Sequence, residues 1–137
     1  MFDINTIIRK NIKSLQSYKV WRDVYLDISE AVFLDNCENN FGSPLGLGYE
    51  RYPSSSQSKV KEAIARYKNI NFNQLVIGNG SDELIDLLIR CFCEPIQDNI
   101  LICEPTFGMF KVYAQLNNIE VLNAPLKKES FLFDEHC

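Results

Sequence analysis

The sequence has few of the residues that mark a metal centre or a nucleic-acid surface. Its single histidine is His136, and its five cysteines lie at irregular spacings without a Cys-x-x-Cys pair, which argues against a structural zinc site. A net charge of −4 argues against a general nucleic-acid surface, which needs clustered lysine and arginine. The sequence also has no apolar run long enough to cross a bilayer. We therefore predict no metal, no nucleic acid and no membrane as partners.

The N-terminal segment lacks the pattern of a signal peptide. Asp3, Arg9, Lys10 and Lys13 interrupt any apolar stretch there. The odd number of cysteines favours reduced thiols packed as small hydrophobic groups. Hydrophobic residues make up 46% of the 137 residues and charged residues 23%, which is typical of one soluble globular domain. We expect a cytoplasmic protein.

Hydrophobic spacing predicts several elements in the first half of the chain. These are an amphipathic helix over about 5–17 and short strands over 24–28 and 31–35. Residues 36–58 are polar and rich in Gly, Pro, Ser and Asn, which is typical of a functional or disordered loop. Ser54 and Gln57 resemble a capping box, and the helix that they open continues to about Asn69.

The second half of the chain alternates between strand and helix patterns. The predicted elements are strands over 75–77, 99–103 and 119–124, and helices from near Ser81 to about Cys93 and over 107–116. Strands that alternate with helices through short links imply a parallel sheet with right-handed crossovers. The fold class is therefore α/β.

A glycine-rich turn between strand and helix is the strongest candidate site. Gly78 and Gly80 permit unusual backbone angles, and Ser81 and Asp82 suit the start of a helix. The free N–H groups of a helix N-terminus attract phosphate, although many such turns connect strand and helix without any ligand. Glu83 stands where the dinucleotide fingerprint needs a third glycine, and the turn lacks the Gly-Lys-Ser/Thr of a P-loop. The turn suggests phosphate but disfavours NAD and ATP.

Five short segments in a fixed order resemble a known family. They are LDNCENNFG over 34–42, RYP over 51–53, GNGSDE over 78–83, IRCFCEP over 89–95 and EPTFGMF over 104–110. Together they resemble the N-terminal part of histidinol-phosphate aminotransferase, a pyridoxal-phosphate enzyme of the aspartate-aminotransferase fold. The resemblance covers about residues 34–134.

The resemblance implies a set of residues that bind the cofactor pyridoxal 5'-phosphate. The backbone N–H groups of Gly80, Ser81 and Asp82 would hold the cofactor phosphate, in agreement with the interpretation of the turn. Phe107 stands where an aromatic ring, usually tyrosine, stacks on the pyridine ring, and stacking does not need the hydroxyl. Considered alone, Phe107 could equally be a core residue.

The resemblance also implies a homodimer and a substrate loop. Tyr52 matches the tyrosine that reaches the cofactor phosphate of the neighbouring subunit. Glu38 and Asn39 lie in the loop that lines the pocket for a small-molecule substrate. Considered alone, Tyr52 could also be a solvent-facing loop residue.

For the fold, the resemblance implies part of the large domain of a fold type I transferase. Residues 1–30 would form an N-terminal helical arm, and residues 31–137 the N-terminal part of the large cofactor-binding domain. The sheet would be incomplete, because the predicted strands are few and the chain ends shortly after the last of them.

Several features depart from the family pattern. Asn36, Cys37 and Asn40 replace the usual Ala-Asn and Pro of the substrate loop. The family's Schiff-base lysine, its carboxylate at the pyridine nitrogen and its substrate arginine all lie downstream of this sequence. No catalytic residue is therefore predicted within the chain, and the 137 residues alone are expected to be inactive. Alternatives are threonine-phosphate decarboxylase or another small-substrate aminotransferase, and a catalytically inert truncated relic or association module.

Overall fold

The computed structural model describes residues 2–18, 20 and 32–133. The chain divides into two compact units, of which the first combines Met1–Leu15 with Ile77–Cys137 and the second is Gln16–Val76. The strand predicted over 24–28 lies outside the described residues. Residues 32–35 of the strand predicted over 31–35 are described and are not in a strand, so that prediction is wrong for them.

The N-terminal helix predicted over 5–17 is shorter and interrupted. Ile4–Thr6 form a single 3₁₀ turn, and helix α1 spans only Lys10–Lys13. Arg9 separates the two pieces in an extended conformation (φ −54°, ψ 140°), and its N–H donates to the carbonyl of Cys91 at 3.0 Å. A bond to a distant part of the chain has therefore replaced the local helical bond that hydrophobic spacing predicted.

Arg9 ties the N-terminal segment to the rest of its unit. Its guanidinium donates to both carboxylate oxygens of Glu94, at 3.2 and 3.3 Å, and to the carbonyl of Arg90 at 2.9 Å. The Arg9 side chain is only 16% exposed, and this planar fork fits a carboxylate in a way that an ammonium cannot.

We expect Arg9→Lys to destabilise this attachment. Lysine keeps the charge but loses the fork, so the free energy of unfolding should fall by about 1 kcal/mol, a value reduced because Glu94 is partly exposed. Hydrogen exchange of the α1 amides and the denaturant midpoint measure the loss. Lys10→Gln, at an exposed site on α1, is the control. Equal behaviour of the two variants would show that the Arg9 fork contributes nothing.

Helix α2 spans Ser58–Lys68 and begins later than predicted. The capping box predicted at Ser54 and Gln57 is wrong. A capping box would make Ser54 the residue before the helix, but Gln57 holds that position, with a left-handed backbone (φ 47°) and without a side-chain capping bond. A capping box does form further on, where Asn71 opens the 3₁₀ turn Phe72–Gln74 and the side chain of Gln74 accepts the Asn71 N–H at 3.1 Å.

The first unit contains a parallel two-stranded sheet with helices. Helix α3 (Gly80–Phe92), strand β1 (Asn99–Ile102), helix α4 (Met109–Leu116) and strand β2 (Glu120–Asn123) follow in this order. β1 and β2 pair in parallel, with Ile100 opposite Val121. The predicted α/β class, these four elements and their parallel pairing are confirmed, with ends that differ by at most two residues.

The strand predicted over 75–77 is not formed. A strand needs a neighbour that accepts and donates its backbone hydrogen bonds, and within the described residues the sheet contains only β1 and β2. Val76 is accordingly 74% exposed, although its β-branched side chain suits a buried strand. The predicted three-stranded sheet is therefore a two-stranded sheet in this part of the chain.

The core of the first unit is small. Ile89 of α3, Ala114 of α4 and Ile119 are buried together, and Tyr113 and Val121 pack against them. Leu101 of β1 is 64% exposed, so the strand expected to be covered on both faces is covered on one. The fold brings α3 and α4 against one side of the short sheet.

A polar link joins α3 to α4 beside this core. Asp86 accepts from Arg90 at 2.8 Å and from the side-chain amide of Asn117 at 2.8 Å. The hydrogen bond from Arg90, helped by that from Asn117, holds the pKa of Asp86 below its usual value despite partial burial. Asp86 is therefore ionised at neutral pH and connects the two helices.

Other features of the described residues concern thiols, metals and membranes. Cys37, Cys91, Cys93 and Cys103 are free thiols, and burial, helped by the charge of Asp98, raises the pKa of the Cys93 thiol. Residues 2–18, 20 and 32–133 contain no group of three His, Cys, Asp or Glu placed to hold a metal ion. None of the helices in this part of the chain has both the length and the apolar character that crossing a membrane requires.

Candidate functional site

The glycine turn before α3 has the backbone that its sequence predicts. Gly80 has φ +82°, a conformation that side chains rarely adopt, and its N–H donates to the carbonyl of Gly78 at 3.0 Å. Apart from its chain neighbours and the backbone of its own helix, no heavy atom lies within 4 Å of the position where a Cβ on Gly80 would stand. The turn therefore leaves open space directly beside the start of the helix.

Glu83 folds back onto the other glycine of this turn. Its carboxylate accepts the N–H of Asn79, and a Cβ on Gly78 would lie 2.7 Å from the Glu83 Oε2 atom and 2.9 Å from Leu84 Cδ2. Glycine at position 78 therefore makes room for the Glu83 side chain. The carboxylate lies beside Gly78 and not in the open space next to Gly80.

The N-terminus of α3 offers backbone donors at this open space. The first N–H groups of an α-helix have no intrahelical partner, and α3 extends for 13 residues from Gly80. Ser81 is exposed and Asp82 partly exposed, so the N–H groups of their backbone lie at the surface end of the helix. The helix dipole adds a partial positive charge at this end. The arrangement suits an anion with several acceptor oxygens.

Phe107 lies just before α4 in the same unit. Its ring is 52% exposed and makes an edge contact with Phe110, with ring centroids 6.1 Å apart and planes at 88°. A core residue would be buried, so the alternative that Phe107 is a core residue does not fit the described chain. Phe107 is therefore partly accessible to a ligand.

An apolar hollow of about 290 Å³ lies between α3 and β1 in this unit. It is lined mainly by aliphatic side chains, together with Thr106 from the segment before α4 and Phe110 from the first turn of α4. The lining residues are Ile85, Leu88, Ile89, Ile100, Leu101, Ile102, Cys103, Thr106 and Phe110. The hollow therefore shares the loop that carries Phe107.

In the second unit, Glu38 organises the loop that contains Tyr52. Its Oε2 accepts from the Arg51 guanidinium at 2.8 Å and its Oε1 accepts the N–H of Tyr52 at 2.7 Å. The Glu38 side chain is 3% exposed, whereas the residue Tyr52 is 58% exposed. The carboxylate is buried against the backbone, and the tyrosine ring extends outward.

Asn39 stabilises the adjoining turn. Its side-chain amide donates to the carbonyl of Gly42 at 2.7 Å, and its side-chain oxygen accepts the N–H of Phe41 at 3.1 Å. Such local bonds from an asparagine side chain are typical of turns. Both polar groups of Asn39 are therefore used within the loop.

The predicted site residues are distributed over both units. Gly80, Ser81, Asp82 and Phe107 belong to the first unit, and Glu38, Asn39 and Tyr52 belong to the second. Sequence reasoning missed two contacts that shape these loops, the bond from Asn79 to Glu83 and the pairing of Glu38 with Arg51. The bond from Asn79 to Glu83 could have been predicted, because the two residues are four apart at the start of a helix. The pair of Glu38 and Arg51 could not, because these residues are 13 apart in a loop without periodicity.

Comparisons with known proteins place the chain in a family. It is 47% identical over 121 residues to the histidinol-phosphate aminotransferase of Flavobacterium johnsoniae, covering 87% of this chain and 34% of the relative. The enzyme of the same name from Cytophaga hutchinsonii is 43% identical over 127 residues, covering 93% and 36%. That from Schizosaccharomyces pombe is 40% identical over 140 residues, covering 94% and 36%.

The chain spans about a third of the length of these curated relatives. The sequence profile of the family described as aminotransferase class I and II matches residues 44–135, more than half of the chain. This match includes the glycine turn, α3, Phe107 and both strands. The chain therefore belongs to the aminotransferase class I and II family.

Proposed function

We propose that the chain is the N-terminal part of a pyridoxal-phosphate aminotransferase of fold type I that acts on histidinol phosphate. The reaction transfers an amino group from histidinol phosphate to 2-oxoglutarate and yields imidazole acetol phosphate and glutamate, within histidine biosynthesis. Relatives of that name, 39–47% identical over most of the chain, support the substrate. The observation that carries the cofactor proposal is the open glycine turn at the N-terminus of α3.

The residues of this turn fit the phosphate of pyridoxal phosphate. The N–H groups of Ser81 and Asp82 lie where the helix leaves them unpaired, and Gly80 places no side chain in the way. The Gly80 N–H also bonds within the turn, so its contribution to the phosphate is shared with the Gly78 carbonyl. The Glu83 carboxylate, which would repel a phosphate, is held beside Gly78 by the Asn79 N–H.

Phe107 would orient the pyridine ring by stacking on it. Its half-exposed ring and its fixed edge contact with Phe110 suit that role. When bound, pyridoxal phosphate supplies an electron sink for the amino-group transfer. The chain described here contributes binding and orientation of that group.

Tyr52 would bind the cofactor phosphate of a neighbouring subunit, which makes a homodimer part of the proposal. Its exposed ring supports a contact outside its own unit. Glu38 and Asn39 belong to the loop proposed to line the substrate pocket. The lysine that bonds to the cofactor, the carboxylate at the pyridine nitrogen and the arginine for the substrate would lie in sequence beyond this chain. We also propose that the whole enzyme is cytoplasmic.

Amino-group transfer by the whole protein tests this proposal. Purified protein with pyridoxal phosphate, histidinol phosphate and 2-oxoglutarate is expected to form glutamate, and omission of histidinol phosphate is the control. Release of carbon dioxide from threonine phosphate without glutamate formation would identify the decarboxylase instead. Cofactor binding without turnover of either substrate would contradict the enzymatic proposal.

A further inference from the structure

We infer that Glu38 is a positioning residue that fixes the backbone of Tyr52, and that it does not bind the substrate. The inference deepens the proposed function and rests on the proposed role of Tyr52 at the cofactor phosphate. The resemblance assigns Glu38 to the substrate loop because of its position in the sequence. The contacts of its side chain indicate a different role.

The Glu38 carboxylate already has two strong donors within its own loop. Arg51 lies 2.8 Å from one oxygen, and the Tyr52 N–H lies 2.7 Å from the other. An ionised carboxylate only accepts hydrogen bonds, and bonds of this charge-assisted kind are short and strong. With its side chain 3% exposed, Glu38 offers almost no surface to a ligand. A substrate group would therefore have to compete with these donors for a carboxylate that is almost inaccessible.

Arg51 connects a further residue of the loop to this pair. Arg51 also donates to the side-chain oxygen of Asn40 at 3.1 Å. The two ends of the loop, near 38–40 and 51–52, are therefore held together by one buried carboxylate and one guanidinium. Because the Glu38 side chain is only 3% exposed, leaving its charge without Arg51 would be unfavourable, which favours contact between these two segments.

The consequence for Tyr52 is a fixed backbone beneath a free side chain. The Tyr52 N–H donates to Glu38. Because Pro53 follows, the backbone of Tyr52 is also restricted to extended conformations. Its exposed ring lacks the burial that would hold a core residue in place. The direction in which the ring leaves the loop is therefore set by the backbone, and Glu38 is the side chain that holds that backbone.

Hydrogen exchange of the Tyr52 amide, read by NMR in the full chain, tests the positioning. Glu38→Ala removes the acceptor, so the Tyr52 amide should exchange about 10- to 100-fold faster. Glu38→Gln keeps an oxygen that can accept this N–H and should restore most of the protection. Glu62→Ala, at an exposed glutamate on α2 in the same unit, is the matched control. Unchanged exchange in Glu38→Ala would overturn the inference.

Cofactor and substrate constants separate positioning from contact. Glu38→Ala should weaken pyridoxal phosphate binding in the native protein. It should have no further effect in a Tyr52→Phe background, because that variant already lacks the contact between the Tyr52 hydroxyl and the cofactor phosphate. Glu38→Gln serves as the second variant in case Glu38→Ala does not fold. It should leave the KM for histidinol phosphate unchanged. A tenfold or larger rise of this KM in Glu38→Gln, with the Tyr52 amide still protected, would identify a substrate ligand and refute the inference.

The proposed function can fail separately. If Tyr52→Phe leaves the affinity for pyridoxal phosphate unchanged while Glu38→Ala still releases the Tyr52 amide, Glu38 positions Tyr52 but the proposed role of this tyrosine is wrong. Faster exchange in Glu38→Ala supports the positioning in either case.

Discussion

Replacing Ser81 with proline is expected to weaken the binding of pyridoxal phosphate about 10- to 100-fold, because one charge-assisted hydrogen bond contributes about 1.5–3 kcal/mol. Proline removes the N–H of residue 81, yet the first turn of a helix tolerates it because that N–H has no intrahelical partner. Helix α3 should therefore persist while one donor to the phosphate is lost. Titration of the whole protein with the cofactor, followed by absorbance, measures the effect.

The control for this prediction is Ser81→Ala, which keeps the backbone N–H and should change the affinity far less. Pyridoxal without its phosphate should bind the proline variant as well as it binds the native protein, since the lost donor faces only the phosphate. A proline variant that binds pyridoxal phosphate like the native protein would show that the phosphate does not bind at the start of α3.

Gly78→Ala is expected to destabilise the protein by about 1 kcal/mol, mainly through the loss of the hydrogen bond between Glu83 and the Asn79 N–H. The added Cβ would stand 2.7 Å from Glu83 Oε2 and 2.9 Å from Leu84 Cδ2, so both side chains must move. Displacement of Glu83 also breaks its bond to the Asn79 N–H and releases its charge toward the phosphate site. Chemical denaturation measures the loss of stability through the shift of the midpoint.

Gly108→Ala provides the matched glycine control. Gly108 precedes α4 in a right-handed conformation (φ −64°, ψ −21°), and a Cβ there would meet no atom within 4 Å. This variant should be neutral or more stable by about 0.4–1 kcal/mol, because alanine loses less backbone entropy on folding. Equal destabilisation by both substitutions would contradict the account of the turn.

The elements that the sequence predicted well are those whose signals are local. Helix α3 follows from a glycine turn, an acidic first turn and an apolar face, and it ends just before Glu94-Pro95. Strands β1 and β2 follow from short apolar runs on either side of α4. The backbone of the glycine turn was predicted for the same reason, because the conformational freedom of Gly80 depends on that residue alone, whereas phosphate binding there stays a prediction.

The elements that were predicted wrongly depend on distant partners. The N-terminal helix is interrupted because Arg9 bonds to Cys91 and Glu94, which lie more than 80 residues away. The strand over 75–77 has suitable residues but no ladder partner among those described. The pairing of Glu38 with Arg51 was likewise not predicted, because hydrophobic periodicity contains no information about such a pair.

The intact mass of the protein from its native source, after reduction with borohydride, tests the central proposal most directly. If the chain is part of a cofactor-binding aminotransferase, the mass should be about three times the 15.8 kDa of this chain, because the matched part is 34% of the Flavobacterium johnsoniae relative. It should also include one phosphopyridoxyl group attached to a lysine outside these 137 residues. A mass of 15.8 kDa without the cofactor would contradict the proposal that this chain works within an aminotransferase.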